Sequence, residues 1–227
     1  DQLLRLEATD SLDDQQRAEL TAVRRLREIN PMIGTRGVRL GVVRPGVYQM
    51  QVRALARAVT RELDRGVAPH VEIMIPLVVS PSEMIAARQW IGEALRELGA
   101  SRSVMDAVKV GAMVETPRAA LVAGEIAEHA DFLSFGTNDL TQLAFGFSRD
   151  DVETSLMPAY LSSGLLDASP FDELDTVGVG RLVRLACSDA RAVRSDIKIG
   201  VCGEHAGRAA SIAALIEAGV DYVSCSP

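Results

Sequence analysis

Aromatic residues make up only 4% of this 227-residue chain, and there is a single tryptophan. Leu, Val, Ile and Ala must therefore fill any core, which suits helices packed on parallel strands. Three cysteines, Cys187, Cys202 and Cys225, are scattered without CxxC or zinc-finger spacing. That argues against a disulfide framework and for a reduced, cytoplasmic setting. Positive charge is in deficit: the net charge is −7, which argues against nucleic acid or an acidic membrane as partner. A local cationic site for a small anion remains compatible with it. No apolar run approaches the roughly 20 residues of a membrane span, and no signal-peptide pattern, internal repeat or low-complexity tract is visible. Hydrophobic residues nevertheless reach 48%, with a mean hydropathy of +0.13, so disorder is excluded as the main state.

What is present is an alternation of short apolar runs and helical patterns. Gln15 to Glu28 reads as a helix with Leu20, Val23 and Leu26 on one side, Tyr48 to Leu63 as another, and Val71 to Val79 as a buried strand with its exit at Pro76. Ser80-Pro81-Ser82-Glu83 is a capping box opening a helix to about Leu98, with Met84 and Trp90 as packing residues. Strand Val108 to Val114 leads to a helix from Pro117 to His129, and strand Phe132 to Phe135 to a second short strand near Gln142 to Phe147. An irregular stretch, Asp150 to Asp175, precedes a helix over Val179 to Arg194. Strand Ile197 to Val201, helix Arg208 to Ala218 and strand Val220 to Ser224 follow. With a further strand expected in Gly34 to Val43, about seven strands result. The alternation predicts an α/β fold with a parallel sheet, naturally closed as a (β/α)8 barrel. An open doubly wound sheet is the alternative, and the lack of a GxGxxG turn weighs against its dinucleotide-binding version.

Three strands end in reactive groups. The run to Val114 ends at Glu115; Phe132 to Phe135 ends at Gly136, Thr137, Asn138 and Asp139; the run from Ile199 ends at Cys202 and Glu204. Ligands bind at the C-terminal ends of parallel strands. Two carboxylates on neighbouring strands, Glu115 and Asp139, can share a magnesium or manganese ion; each can equally sit at the start of a following helix. Arg36, between Gly34 and Gly37, can clamp a phosphate or carboxylate, or pair with a surface acid. Arg149 is a second candidate, flanked by Asp150 and Asp151. Cys202 reads either as a buried inert thiol or as a protonated thiol able to donate; His205 has the same two readings. Cys225 reads as structural.

The segments NPMIGTRGVRL, EIMIPLV, GAMVETPRAAL, FLSFGTNDLTQLAFGFSRDD, GVCGEHAG and DYVSCSP, in this order over Asn30 to Pro227, carry a family resemblance. The chain resembles the C-terminal phosphoenolpyruvate/pyruvate-binding domain of the pyruvate, phosphate dikinase family. Phosphoenolpyruvate synthase and sugar-phosphotransferase enzyme I share that barrel and are the alternatives, along with a non-catalytic binding or dimerisation module. The resemblance implies that residues 1–29 are a polar, helical lead-in and that 30–227 form the barrel. It implies magnesium on Glu115 and Asp139, and substrate phosphate on Arg36 with Gly136, Thr137 and Asn138. Cys202 would be the acid/base thiol at the pyruvate methyl carbon, and Arg149 would assist at the transferred phosphoryl group. The implied reaction moves a phosphoryl group between a phosphohistidine on another domain and pyruvate enolate. Implied partners are pyruvate or phosphoenolpyruvate, the phosphohistidine and ATP-binding domains of a parent chain, and a second copy in a homodimer. The family's first barrel strand, the helix after Ser-Cys-Ser-Pro and a phosphohistidine motif around His70, His129 or His205 are not found. The chain is therefore expected to be a fragment, inactive alone in the full reaction.

Overall fold

A computed structural model describes residues 12–26 and 30–225. It divides into two compact units between Arg36 and Gly37. In the first unit, helix Asp14–Leu26 starts at Asp13. The Asp13 carboxylate accepts the Gln16 N–H at 2.7 Å and Gln16 Oε1 accepts the Asp13 N–H at 3.1 Å, a reciprocal cap. The expected end of this helix at Glu28, like the stretch before Leu12, lies outside the described residues. A 3-10 turn, Pro31–Ile33, follows.

The second unit is built on one sheet of five parallel strands whose spatial order is the chain order. They are β1 (Val71–Ile75), β2 (Val108–Val114), β3 (Phe132–Gly136), β4 (Lys198–Cys202) and β5 (Tyr222–Val223). Strand β3 is buried at every position, as expected of an inner parallel strand covered on both faces. Around the sheet pack helices Val47–Asp64, Pro81–Glu97, Val179–Val193 and Ala209–Glu217. The capping box is present: Ser80 Oγ accepts the Glu83 N–H at 3.3 Å, and Glu83 Oε2 accepts the Val79 and Ser80 N–H groups. Met84 is buried in the core, and Trp90 packs against Tyr48 with ring centroids 5.6 Å apart.

Two aspartates brace the strand starts in the same way. Asp131 accepts the Val110 N–H at 2.8 Å and an Arg88 N–H at 3.1 Å. Asp221 accepts the Ile199 N–H at 2.8 Å and an Arg191 N–H at 2.9 Å. Each carboxylate thus ties an incoming strand to the one before it.

Several expectations are corrected. The described residues hold five strands rather than seven. Gln142 to Phe147 is not a strand: helix Thr137–Phe145 leaves β3 directly and stops at Gly146, whose φ of 67° ends it in the left-handed conformation. Its apolar residues are a helical face, with Thr137, Leu140, Thr141 and Gln142 buried. Gly34 to Val43 supplies no strand; Val38–Val43 is a short helix. The β-branched content of that segment is overridden by packing, since Gly41 sits so close to the Trp90 and Tyr48 rings that a Cβ would fall 2.6–2.8 Å from them. The helix expected over Pro117 to His129 breaks at Val122 into Pro117–Leu121 and Ala123–Ala127. There Gly124 closes onto the backbone of Asp189. The stretch after Asp150 is partly helical, as Arg149–Val152 and Leu156–Ser162. Cys225, expected to be structural, is exposed.

Candidate active site

The strand ends converge as their register requires. Val114 pairs with Phe135, and Gly136 pairs with Cys202. Glu115, one residue past Val114, therefore comes level with Gly136 and Cys202 across three adjacent strands.

Glu115 is 2% exposed. Its Oε1 accepts the Leu77 N–H at 2.7 Å, from the chain leaving β1. It does not cap the following helix: that cap is Thr116, whose Oγ1 accepts the Ala119 N–H at 3.1 Å. Its Oε2 lies against Gly136, where a Cβ would stand 2.8 Å from that oxygen. Gly136 is thus the residue that leaves room for a buried carboxylate. Asp139 lies in the first turn of helix Thr137–Phe145, where the helix dipole favours an anion.

The Cys202 thiol is half-buried, with Sγ 3.5 Å from the Phe135 carbonyl oxygen. Burial pushes its pKa up, a hydrogen bond with Ser134 opposes this, and the charges of Glu115 and Asp139 raise it further. Both carboxylates act on the same thiol, and all three effects summed leave it protonated at neutral pH. Buried Cys187 is pushed up to about 11, chiefly by desolvation.

Thr137 and Asn138 turn toward the segment after β4. The Thr137 hydroxyl is 3.1 Å from the Cys202 carbonyl oxygen. Asn138 Oδ1 accepts the Glu204 N–H at 3.1 Å, so its amide NH2 is directed elsewhere. Asn138 lines a cleft of about 650 Å³ with Gly203, Glu204, Gly207, Arg208, Ser224 and Cys225. A second cleft, about 530 Å³, runs along β1 and has Glu72 as its sole charged lining residue; the reactive groups do not face it.

Arg149 begins the turn Arg149–Val152, its backbone N–H held by Gln142 Oε1 at 2.7 Å. Its guanidinium grips Glu204 through two N–H groups at 2.5 and 2.9 Å, meets Glu153 at 2.7 Å, and stacks over the Phe171 ring. These carboxylates hold the guanidinium firmly protonated, and Arg149 in turn pulls the Glu204 carboxyl down. Arg36 belongs to the first unit, where an Nη1–H points to the Met32 carbonyl at 3.5 Å.

Sequence reasoning left His205 undecided and missed its partners. It is 1% exposed, with Nδ1 3.0 Å from Thr137 Oγ1 and Nε2 2.9 Å from the Pro170 carbonyl oxygen. Burial lowers its pKa. The apolar run and glycine before Glu204-His205 placed it near a strand end; its partners lie too far along the chain for any spacing to reveal.

A sequence-family profile described as "PEP-utilising enzyme, PEP-binding domain" matches residues 8–227. The chain belongs to this family. It is 47% identical over 208 residues to pyruvate, phosphate dikinase 1, chloroplastic, of Arabidopsis thaliana, covering 92% of this chain and 22% of that one. Over 209 residues it is 49% identical to the pyruvate, phosphate dikinase, chloroplastic, of Mesembryanthemum crystallinum, covering 90% and 22%. With pyruvate, phosphate dikinase 2 of Zea mays it shares 47% over 208 residues, covering 92% and 23%. This PEP-binding domain thus spans between a fifth and a quarter of the length of these relatives. No helix among its described residues is long and apolar enough to cross a membrane.

Proposed function

We propose that this domain carries the pyruvate/phosphoenolpyruvate half-reaction of a pyruvate, phosphate dikinase, with its sheet completed to a (β/α)8 barrel in the intact protein. The observation that carries the reading is the level alignment of Glu115, Gly136 and Cys202 at the ends of adjacent strands, with the thiol kept protonated.

The donor set suits magnesium. No cluster of three or more His, Cys, Asp or Glu occurs among the described residues, but magnesium is commonly held by one or two carboxylates together with waters and substrate oxygens. Glu115 and Asp139 are that pair; when bound, the ion would stabilise the enolate and phosphoryl charge. In the direction of pyruvate formation, the O–P bond of phosphoenolpyruvate breaks as an N–P bond forms to a histidine of another domain. The electron pair left on oxygen makes the enolate, and the Cys202 thiol delivers its proton to the terminal carbon, leaving a thiolate. In reverse the thiolate removes a methyl proton from pyruvate. A neutral thiol is the form the first direction requires. Arg36 would hold the substrate phosphate, the Asn138 amide would donate to a substrate oxygen, and Arg149 would meet the phosphoryl group in transit. Gly136 and Thr137 would complete the substrate-binding turn.

The test is Cys202→Ala in the intact protein. Exchange of pyruvate methyl protons with solvent should vanish, while phosphorylation of the histidine from nucleotide persists. Undiminished methyl exchange would refute the role.

A further inference from the structure

Helix Val47–Asp64 carries arginines at four-residue intervals, Arg53, Arg57 and Arg61, with Arg65 at its C-cap. That interval brings side chains to one face of a helix, about one turn apart. The outer two are neutralised: Arg53 pairs with Glu97 at 2.8 Å and Arg65 with Glu62 at 2.8 Å. The inner two are not. The guanidinium groups of Arg57 and Arg61 have no hydrogen bond or ion pair among the described residues, and both residues are exposed. Two like charges one turn apart repel each other. The helix dipole favours a cation in the last turn, which accounts for Arg61 but not for Arg57.

Arg57 and Arg61 line a cleft of about 450 Å³ together with Thr60, Leu98, Ala100 and Ser101. They are its only charged lining residues among those described, in a chain whose net charge is −7. The volume lies in the range of small-molecule sites. Half-buried Leu98 and Ala100 give it an apolar wall. Ser101 caps helix Arg102–Ala107, its Oγ accepting the Val104 N–H at 3.3 Å, which leaves its O–H proton for another acceptor. The Thr60 hydroxyl donates to the Ala56 carbonyl at 2.9 Å and so offers the cleft no proton. The donor set is thus two guanidinium groups and one hydroxyl. The cleft lies where the strands begin: Arg61 is in the last turn of the helix before β1, and helix Arg102–Ala107 runs directly into β2. Glu115, Gly136 and Cys202 stand at the opposite end of the sheet.

We propose that this cleft binds a phosphate monoester in its dianionic form. Two unneutralised cations match its two charges, and guanidinium forks suit phosphate oxygens better than any other cationic side chain. The Ser101 hydroxyl donates to a further oxygen. A bare phosphate would leave most of the cleft unfilled, so the organic part of the ester lies along Leu98 and Ala100. The occupant stands away from the strand ends that carry the reactive groups. It is a bound effector and not a reactant, and the inference does not depend on the reading of Cys202 or of the carboxylates.

The experiment is phenylglyoxal modification of arginines in the intact protein, followed by mass spectrometry of each arginine peptide. Arg184 is the reference, exposed on helix Val179–Val193 in a cleft that it shares with Glu217. β-Glycerophosphate should slow the modification of Arg57 and Arg61 and leave Arg184 unchanged. Inorganic phosphate and sulfate, which lack the organic part, should need several-fold higher concentrations for the same protection. Arg57→Gln should raise the half-protecting concentration of β-glycerophosphate at Arg61 at least about tenfold, the scale of one charge-assisted hydrogen bond. Arg184→Gln removes the same charge elsewhere and should leave that concentration unchanged. Protection by inorganic phosphate or sulfate at concentrations equal to the ester's would make the cleft a general anion site and overturn the proposal. Stronger protection by a hexaglutamate peptide than by the ester would assign the cleft to an acidic protein segment instead. Arg57 and Arg61 that resist phenylglyoxal before any anion is added, while Arg184 reacts, would show another part of the intact protein covering them and would equally end it. So would the absence of protection by β-glycerophosphate.

Discussion

Leu77 donates its backbone N–H to Glu115 Oε1 at 2.7 Å from a left-handed conformation, φ 56°. It is the only non-glycine residue with positive φ among those described. Such a backbone costs on the order of 1 kcal/mol or more and persists where its surroundings compensate. Here the compensation is a buried carboxylate that accepts the turned N–H, with Leu77 itself 1% exposed. The turn after β1 and the carboxylate after β2 therefore hold each other, and one proposed magnesium ligand is fixed before any metal arrives.

Glu115→Gln should weaken both roles. Magnesium titration of methyl exchange in the intact protein should show the half-saturating concentration raised at least tenfold, roughly 1.4 kcal/mol. Stability should fall by about 1 kcal/mol as a charge-assisted bond becomes a neutral one. An unchanged magnesium requirement would remove Glu115 from the metal site.

Gly136→Ala should destabilise by about 1–3 kcal/mol, because the new Cβ meets Glu115 Oε2 and Cβ and Met113 Sδ at 2.8–2.9 Å. Gly92→Ala is the contrast. It lies within helix Pro81–Glu97 with nothing within 4 Å of the new methyl, and should stabilise by about 0.5–1 kcal/mol. Urea midpoints of the two variants should move in opposite directions.

Arg149→Lys should separate chemistry from stability. The Glu204 side chain is 52% exposed, so losing the two-pronged pair should cost under about 1 kcal/mol. A lysine cannot reproduce the fork, and rapid-quench measurement of phosphoryl transfer should show at least a tenfold slower step. An unaffected transfer rate would make Arg149 purely structural.

His205 should make stability fall on acidification. Its folded pKa is lowered, first by burial; the Pro170 and Glu173 carbonyls and Glu204 oppose this, while Arg149 adds to it. Between the ordinary value near 6.5 and the lower folded value, the unfolded chain binds the extra proton. Stability is thus complete above the ordinary value and is lost as pH falls toward the folded one. Urea midpoints from about pH 7.5 to about pH 5 should slope downward there, and His205→Gln should flatten that part of the slope.

Local chemistry was legible where one segment determined the outcome. The Ser80–Glu83 capping box and the Val108–Val114 strand are where the pattern puts them, and Glu115 and Cys202 do stand at strand ends. The helix after β3 was misread because it lacks a capping side chain: it begins at Gly136 without one, and its Leu-Ala-Phe stretch suits a strand as well as a helix face. The left-handed Leu77 has no sequence signal, since the carboxylate that accepts its N–H, Glu115, lies far along the chain just past the end of β2. The Thr137–His205 contact likewise joins residues with separate neighbourhoods in the chain, and no spacing rule spans them.

The matching of spatial and chain order in the sheet has a kinetic consequence. Val71 meets Val108, Ala112 meets Leu133 and Gly200 meets Tyr222 across short connections, but Phe132 waits for Lys198. Closing that longest excursion carries the greatest entropic cost, and the late pairing of distant segments slows folding. That same step brings Thr137 and Asn138 to Cys202, Glu204 and His205. We therefore expect amide protection to develop over β1, β2 and β3 before β4, with the thiol turn maturing last. Pulse-labelling hydrogen exchange that found β4 protected together with β2 would contradict this order.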